Sequence, residues 1–153
     1  MRTRVLVGGA VALVAVVVFV LVWFEPQKLF IDDTVNEAAT TGATLATGTF
    51  KSQEHTTTGT ASVIRNPDGT RTLRFEDLDT SNGPDLRVYL SKAPADAEWK
   101  AFDDDFVELG LLKGNQGDQN YEIPAGVDVG TYGRAVIWCK RFSVPFGVAA
   151  LAA

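Results

Sequence analysis

Asn82-Gly83-Pro84-Asp85-Leu86-Arg87-Val88-Tyr89-Leu90-Ser91 is the stretch on which the fold turns. Its first four residues make a turn with a mechanism: proline presets one φ, glycine tolerates a positive one, and Asp85 is expected to order the turn through side-chain-to-backbone bonds. The next six alternate, with Leu86, Val88 and Leu90 on one face and Arg87, Tyr89 and Ser91 on the other. A period of two belongs to a strand. The same pattern recurs outward: Leu73 and Phe75 alternate with Thr72 and Arg74, and Tyr121 and Ile123 flank Glu122. Turn signals separate these runs at Asn66-Pro67-Asp68-Gly69, at residues 113–118 and at Pro124-Ala125-Gly126. Short strands between regular turns predict an all-β domain, an antiparallel β-sandwich. Residues 135–139 are apolar on both faces, which predicts a central strand covered on both sides. Residues 92–105 form the one long connection, with a helical turn expected around 95–102.

The N-terminus is of another kind. Residues 5–24 are apolar or small and carry no charge. About 20 residues at about 1.5 Å each match a hydrocarbon core of about 30 Å. Arg2 and Arg4 precede the run, while Glu25, Pro26 and Lys28 follow it. That bias predicts a cytoplasmic tip over residues 1–4, a transmembrane signal anchor over 5–24, and the rest of the chain outside the cell membrane. Trp23 and Phe24 fall where an interfacial aromatic belt sits. A cleaved signal peptide has a shorter apolar core and a small-residue cleavage site, and here the run ends in bulky residues and proline. Residues 25–46, ending in a stretch of alanine, threonine and glycine, are expected to be a linker. Residues 47–153 are long enough for one domain with one core.

All 19 acidic residues and 12 of the 14 basic ones lie after Phe24, so the exported part carries a net charge of −7. This argues against nucleic acid or an anionic membrane surface as the domain's ligand, since Lys140-Arg141 is too short a run to count as a basic patch. The inventory of metal ligands is poor. His55 is the one histidine, Cys139 the one cysteine, and Met1 the one methionine, on the far side of the expected membrane. Blue copper, zinc, covalent haem and iron–sulfur clusters each need more ligands than these. No metal site, no cofactor and no catalytic residue is therefore expected. His55, among surface-type neighbours, reads as a strand-end or loop residue rather than a ligand. Asp103-Asp104-Asp105 and the group Asp77, Asp79 and Asp85 lack the spacing of a calcium loop. Trp138, Phe142 and Phe146 read as core packing before a stacking platform.

Cys139 stands out because exported proteins pair their cysteines. A lone one is a buried apolar residue, a free thiol, or half of an intermolecular bond. In a regular strand Ala135, Ile137 and Cys139 share a face with Arg141. A guanidinium there lowers a thiol's pKa and burial raises it; burial is expected to win.

Four stretches, in order, resemble the DM-thirteen family, also called the electron-transfer DM domain. They are Gly48-Thr49-Phe50-x-Ser52-x-x-His55, Asn82-Gly83-Pro84-Asp85-Leu86-x-Val88-Tyr89-Leu90-Ser91, Leu109-Gly110-x-Leu112-Lys113-Gly114-x-x-Gly117-x-Gln119-x-Tyr121-x-Ile123-Pro124, and Val136-Ile137-Trp138-Cys139-x-x-Phe142-Ser143-Val144-x-Phe146-Gly147. The likeness covers nearly all of the domain. It implies a small β-rich, extracellular or membrane-tethered domain with a redox role attached to its single cysteine, here Cys139. In animal proteins such domains sit beside DOMON domains. None is present in these residues, so the redox partner is expected to be another protein. The reading from another class is a non-catalytic binding or adhesion module in which Cys139 is only core.

Overall fold

The computed structural model describes residues 2–94 and 96–153, with side chains for 9–28, 31–94 and 96–153. A helix α1 over Arg2–Trp23 leads into a 3-10 turn at Pro26–Phe30. Nine strands follow: β1 Thr34–Asn36, β2 Ala43–Ser52, β3 Thr57–Arg65, β4 Arg71–Thr80, β5 Leu86–Ser91, β6 Phe106–Leu111, β7 Gln116–Ile123, β8 Arg134–Cys139 and β9 Val144–Ala150. Valine, threonine and aromatics at alternate positions favour this pleated conformation. The side chains of α1 are described from Gly9 onward, and within the described residues no helix is long and apolar enough to cross a membrane.

The domain is β-rich as expected, but its strands do not divide into two sheets. They form one nine-stranded sheet in the order β1-β7-β4-β3-β2-β9-β8-β5-β6, curled on itself. The turning point is β2. Its first part pairs with β3, up to Thr49 opposite Thr60, and its last three residues pair with β9, from Phe50 opposite Ala149 to Ser52 opposite Gly147. Gly48 sits at this changeover, where a side chain would run into the Ala150 carbonyl. Register shifts in the β2–β3, β3–β4, β4–β7, β5–β6 and β8–β9 pairings, with the extra residue on β6 and on β9 in the last two, add the bend that one sheet needs to enclose a core. An antiparallel arrangement holds throughout except at the edge, where β1 pairs with β7 in parallel.

Residues 25–46, expected to be a linker, are thus built into the fold in part. Thr34–Asn36 forms β1, and β2 begins at Ala43. Gly117, at φ 92°, leaves room for the backbone of β1, since any side chain there would meet the Val35 carbonyl. Arg74, almost fully buried, then holds the segment down. Its guanidinium pairs with Asp118 at 2.9 Å and Glu76 at 3.0 Å and donates to the carbonyls of Glu37 and Ala38.

Inside the curl lies the main core. Phe50, Val63, Leu73, Phe75, Leu86, Val88, Leu90, Tyr121, Ile123, Ile137, Cys139 and Phe146 all point into it. Phe50 meets Phe75 edge to face at 5.0 Å, an arrangement worth about 0.5–1.5 kcal/mol beyond burial. The even residues of β8 and the odd residue Tyr89 of β5 point the other way. Tyr89, Val136 and Trp138, with Val148, form a second core covered by Ala93 and Phe102 from the 92–105 connection. That connection holds a 3-10 turn at Trp99–Asp103, overlapping the helical turn expected around 95–102 and ending one residue later; Ala95 lies outside the described residues. This second layer is why β8 is apolar on both faces.

Candidate functional site at the helix end of the curl

Strand directions gather four connections at one end of the sheet. β2, β4, β6 and β8 end there, and β3, β5, β7 and β9 begin there. The connections are residues 53–56 with His55, 81–85, 112–115 and 140–143, and all four resemblance stretches contribute to them. The end of α1 lies against the last. The Trp23 ring sits under the Arg141 guanidinium at 4.9 Å, and Phe24 stacks on Phe142 at 6.2 Å.

Cys139 is the last residue of β8 and is wholly inaccessible to solvent. It pairs across with Leu86 of β5 and Val144 of β9. Its Sγ donates to the Pro84 carbonyl at 3.2 Å. The turn that offers this carbonyl is fixed from several sides. Asp85 adopts a left-handed φ of 60°, a conformation that costs a non-glycine residue about 1 kcal/mol or more. Its carboxylate accepts from Arg87 Nε at 2.6 Å, and Arg87 also reaches Glu108 at 2.7 Å. Its carbonyl accepts the Lys140 N–H at 3.1 Å. The positive φ thus falls on Asp85 rather than on Gly83, and the aspartate holds the turn through an arginine rather than through backbone N–H groups. Asn82 anchors the other side, donating to the Ile31 carbonyl and the Asp33 carboxylate and accepting from the Gly83 N–H. A cavity of about 130 Å³ lies against this turn, lined by Asn82, Gly83, Asp85 and Leu86 and by residues 111–115.

The thiol's surroundings hold it protonated. Burial pushes the Cys139 pKa up, and Asp85 adds to this. The N–H groups of Phe142 and Arg141 and the Arg141 charge pull the other way and lose. The expectation that Arg141 shares the face of Cys139 does not hold. β8 ends at Cys139, the chain turns through 140–143 with Ser143 at φ 55°, and the guanidinium goes to Trp23.

His55 is half-buried with its ring 4.0 Å from that of Phe146. Among the described residues no hydrogen bond joins it to Cys139. The aspartates are dispersed in roles of their own. Asp105 accepts from Tyr132 and pairs with Lys92, Asp79 accepts from Gln116, and Asp103 is held above the usual carboxylate range by burial. Among the described residues no three of histidine, cysteine, aspartate and glutamate converge on a possible metal position. The three aromatics part company: Trp138 and Phe146 are core, whereas Phe142 is about half exposed.

Sequence reasoning did not identify the polar supports of this end. Gln119, fully buried, accepts from the N–H groups of Lys113 and Gly114 and from Tyr121, and donates to the Gly114 carbonyl at 2.7 Å. Asn115, also buried, accepts from the Asp33 N–H and donates to Asp32 and to the Thr80 carbonyl. A glutamine between strand residues that face inward was the available signal for the first. Neither group is free for chemistry. Cys139, by contrast, is a buried thiol at the end of β8 whose Sγ donates to the Pro84 carbonyl.

The chain matches no curated protein and no solved structure. A family model does match: Electron transfer DM13, over residues 49–151, which takes in every strand from most of β2 to β9. The thiol at the end of β8, the turn closed over it and the curled sheet that carries both therefore lie within the matched region, and the chain belongs to the electron-transfer DM13 family.

Proposed function

We propose that this chain is a membrane-anchored, extracytoplasmic member of its family that takes part in electron transfer through Cys139. The observation that carries this reading is the enclosure of a single thiol by the turn at residues 82–85, at the end of the domain nearest α1. The anchor rests on the uncharged run of residues 5–24 behind Arg2 and Arg4. A lone thiol exchanges electrons with a partner disulfide by a balanced step. A bond forms from Sγ to one partner sulfur, the partner's S–S bond breaks, and the leaving sulfur takes the proton that Cys139 gives up. The pinned turn holds this back until it moves aside, so exchange is slow with a small disulfide and faster with a redox protein partner that opens the turn. Movement into the neighbouring cavity requires release of the Asp85–Arg87 pair and of the Pro84 carbonyl.

A second reading has its own support. Zero exposure and a raised pKa are also what a purely structural cysteine has, in a non-catalytic binding or adhesion module. Exchange on the folded full chain separates the two. Incubation with a small disulfide followed by mass analysis should give one reversible adduct at Cys139 with the fold retained. An adduct obtained only on unfolded protein favours the module. Retention of the chain in alkaline-washed membranes, with its N-terminal residues intact, tests the anchor; a mature terminus between residues 25 and 47 refutes it.

A further inference from the structure

We propose that the turn at residues 140–143 is a membrane-contact surface, which meets the head-group layer of the bilayer that holds α1. The inference rests on the anchor reading and adds to it a fixed face of the domain. Three observations carry it. First, the contact of Arg141 with Trp23 and of Phe142 with Phe24 joins this turn to the last residues of α1. Trp23 and Phe24 stand where an anchor leaves the hydrocarbon, and a side chain stacked on them is at the same depth. Second, Phe142 is 49% exposed even with Phe24 against it, and it continues the exposed apolar surface that runs from Val11 to Phe24. A large aromatic at the tip of a turn, unburied by its own domain, is accounted for by an apolar medium beyond it. Third, although Lys140-Arg141 is too short a run to make a basic patch in this acidic domain, Lys140 lies beside the end of α1 with its side chain 55% exposed. Basic residues beside an apolar anchor are matched by lipid phosphates. Glu108, 3.8 Å from the Lys140 ammonium, is shared with Arg87 at 2.7 Å.

The consequence is orientation. Phe142 lies three positions after Cys139, at most about 11 Å of chain. The thiol end of the sheet then faces the membrane and the 66–70 hairpin points away. Whatever reaches Cys139 approaches along the bilayer surface.

Photo-crosslinking on the full chain tests this. The chain is reconstituted in vesicles of phosphatidylcholine and phosphatidylglycerol, with a benzophenone amino acid at Phe142 or, as the distal control, at Asp68. The expected result is a phospholipid adduct from position 142 and none from position 68. With the chain retained by the vesicles at alkaline pH, the absence of lipid adducts at 142, equal adducts at both positions, or a crosslinked dimer of the chain from 142 each overturns the membrane face while the anchor stands. If alkaline washing releases the chain, the anchor falls and the membrane face falls with it.

Discussion

Alkylation of Cys139 in the folded chain should be slow, and the structure sets how slow. The thiol has no exposed surface, so reagent reaches it only when the 82–85 turn opens. Opening breaks the Sγ bond to the Pro84 carbonyl, the Lys140 N–H bond to Asp85 and the Asp85–Arg87 pair. At a net value of roughly 1 kcal/mol each, these sum to about 3 kcal/mol, or an open fraction near 1 in 150. The raised pKa of the thiol slows the reaction further, because the thiolate is the nucleophile. The assay is iodoacetamide labelling of the full chain near neutral pH, followed by mass analysis, with and without denaturant. The native rate should be lower by roughly two orders of magnitude or more. Asp85→Ala removes the Arg87 pairing and places alanine at a left-handed φ, so it should bring the native rate several-fold closer to the denatured one while the fold survives. Equal native and denatured rates in the parent chain would refute the enclosure. An unchanged native rate in Asp85→Ala would refute the turn as its cover.

Cys139→Ala should lower stability by about 1 kcal/mol or somewhat more through a small cavity in the main core, read from denaturant unfolding. Stability should also fall on the alkaline side. The folded thiol's pKa is raised above its ordinary 9.0, so its contribution is complete below that unfolded value and is lost as pH rises through the folded one. Cys139→Ala should flatten that slope, which starts before the buried Tyr121, also raised by burial, begins to lose its own contribution. On the acid side, the Lys113 ammonium bonded to Glu37 holds that carboxyl below its ordinary 4.5. Its contribution is present above that value and lost as pH falls through the lower folded one, so Glu37→Gln should flatten the acid limb of the unfolding midpoint measured against pH.

The strands were legible because burial on one face imposes a period of two. Leu73 and Phe75, Tyr121 and Ile123, and Leu86, Val88 and Leu90 all point where alternation puts them. The double burial of β8 was legible for the same reason. Alternation is silent on whether inward faces belong to two sheets or to one that curls, because the side chains meet alike in both cases. Which strand β2 pairs with depends on Gly48 and on bulges, and these shift register without altering the pattern that periodicity reads. β1 was hidden because three residues leave no hydrophobic signature, and Arg74 and Lys113 hold the chain just after it, at Glu37 and Ala38. In the candidate site, Cys139 and its burial followed from neighbours on the same face. Its cover did not, because Pro84 and Asp85 lie more than fifty residues away and meet the thiol only through the pairing of β5 with β8. Arg141 was misplaced because a period of two was extended past the end of its strand.

The central claim is that Cys139 carries redox chemistry within the folded domain, and equilibrium with glutathione redox buffers tests it most directly. The full chain is held in such buffers until the mixed disulfide at Cys139 stops changing, and is then assayed by mass and by cooperative unfolding. The account predicts one glutathione per chain, released by reductant, with cooperative unfolding preserved and no uptake by Cys139→Ala. Glutathione uptake that appears only in chains that have lost cooperative unfolding contradicts it, and leaves Cys139 as a structural core residue.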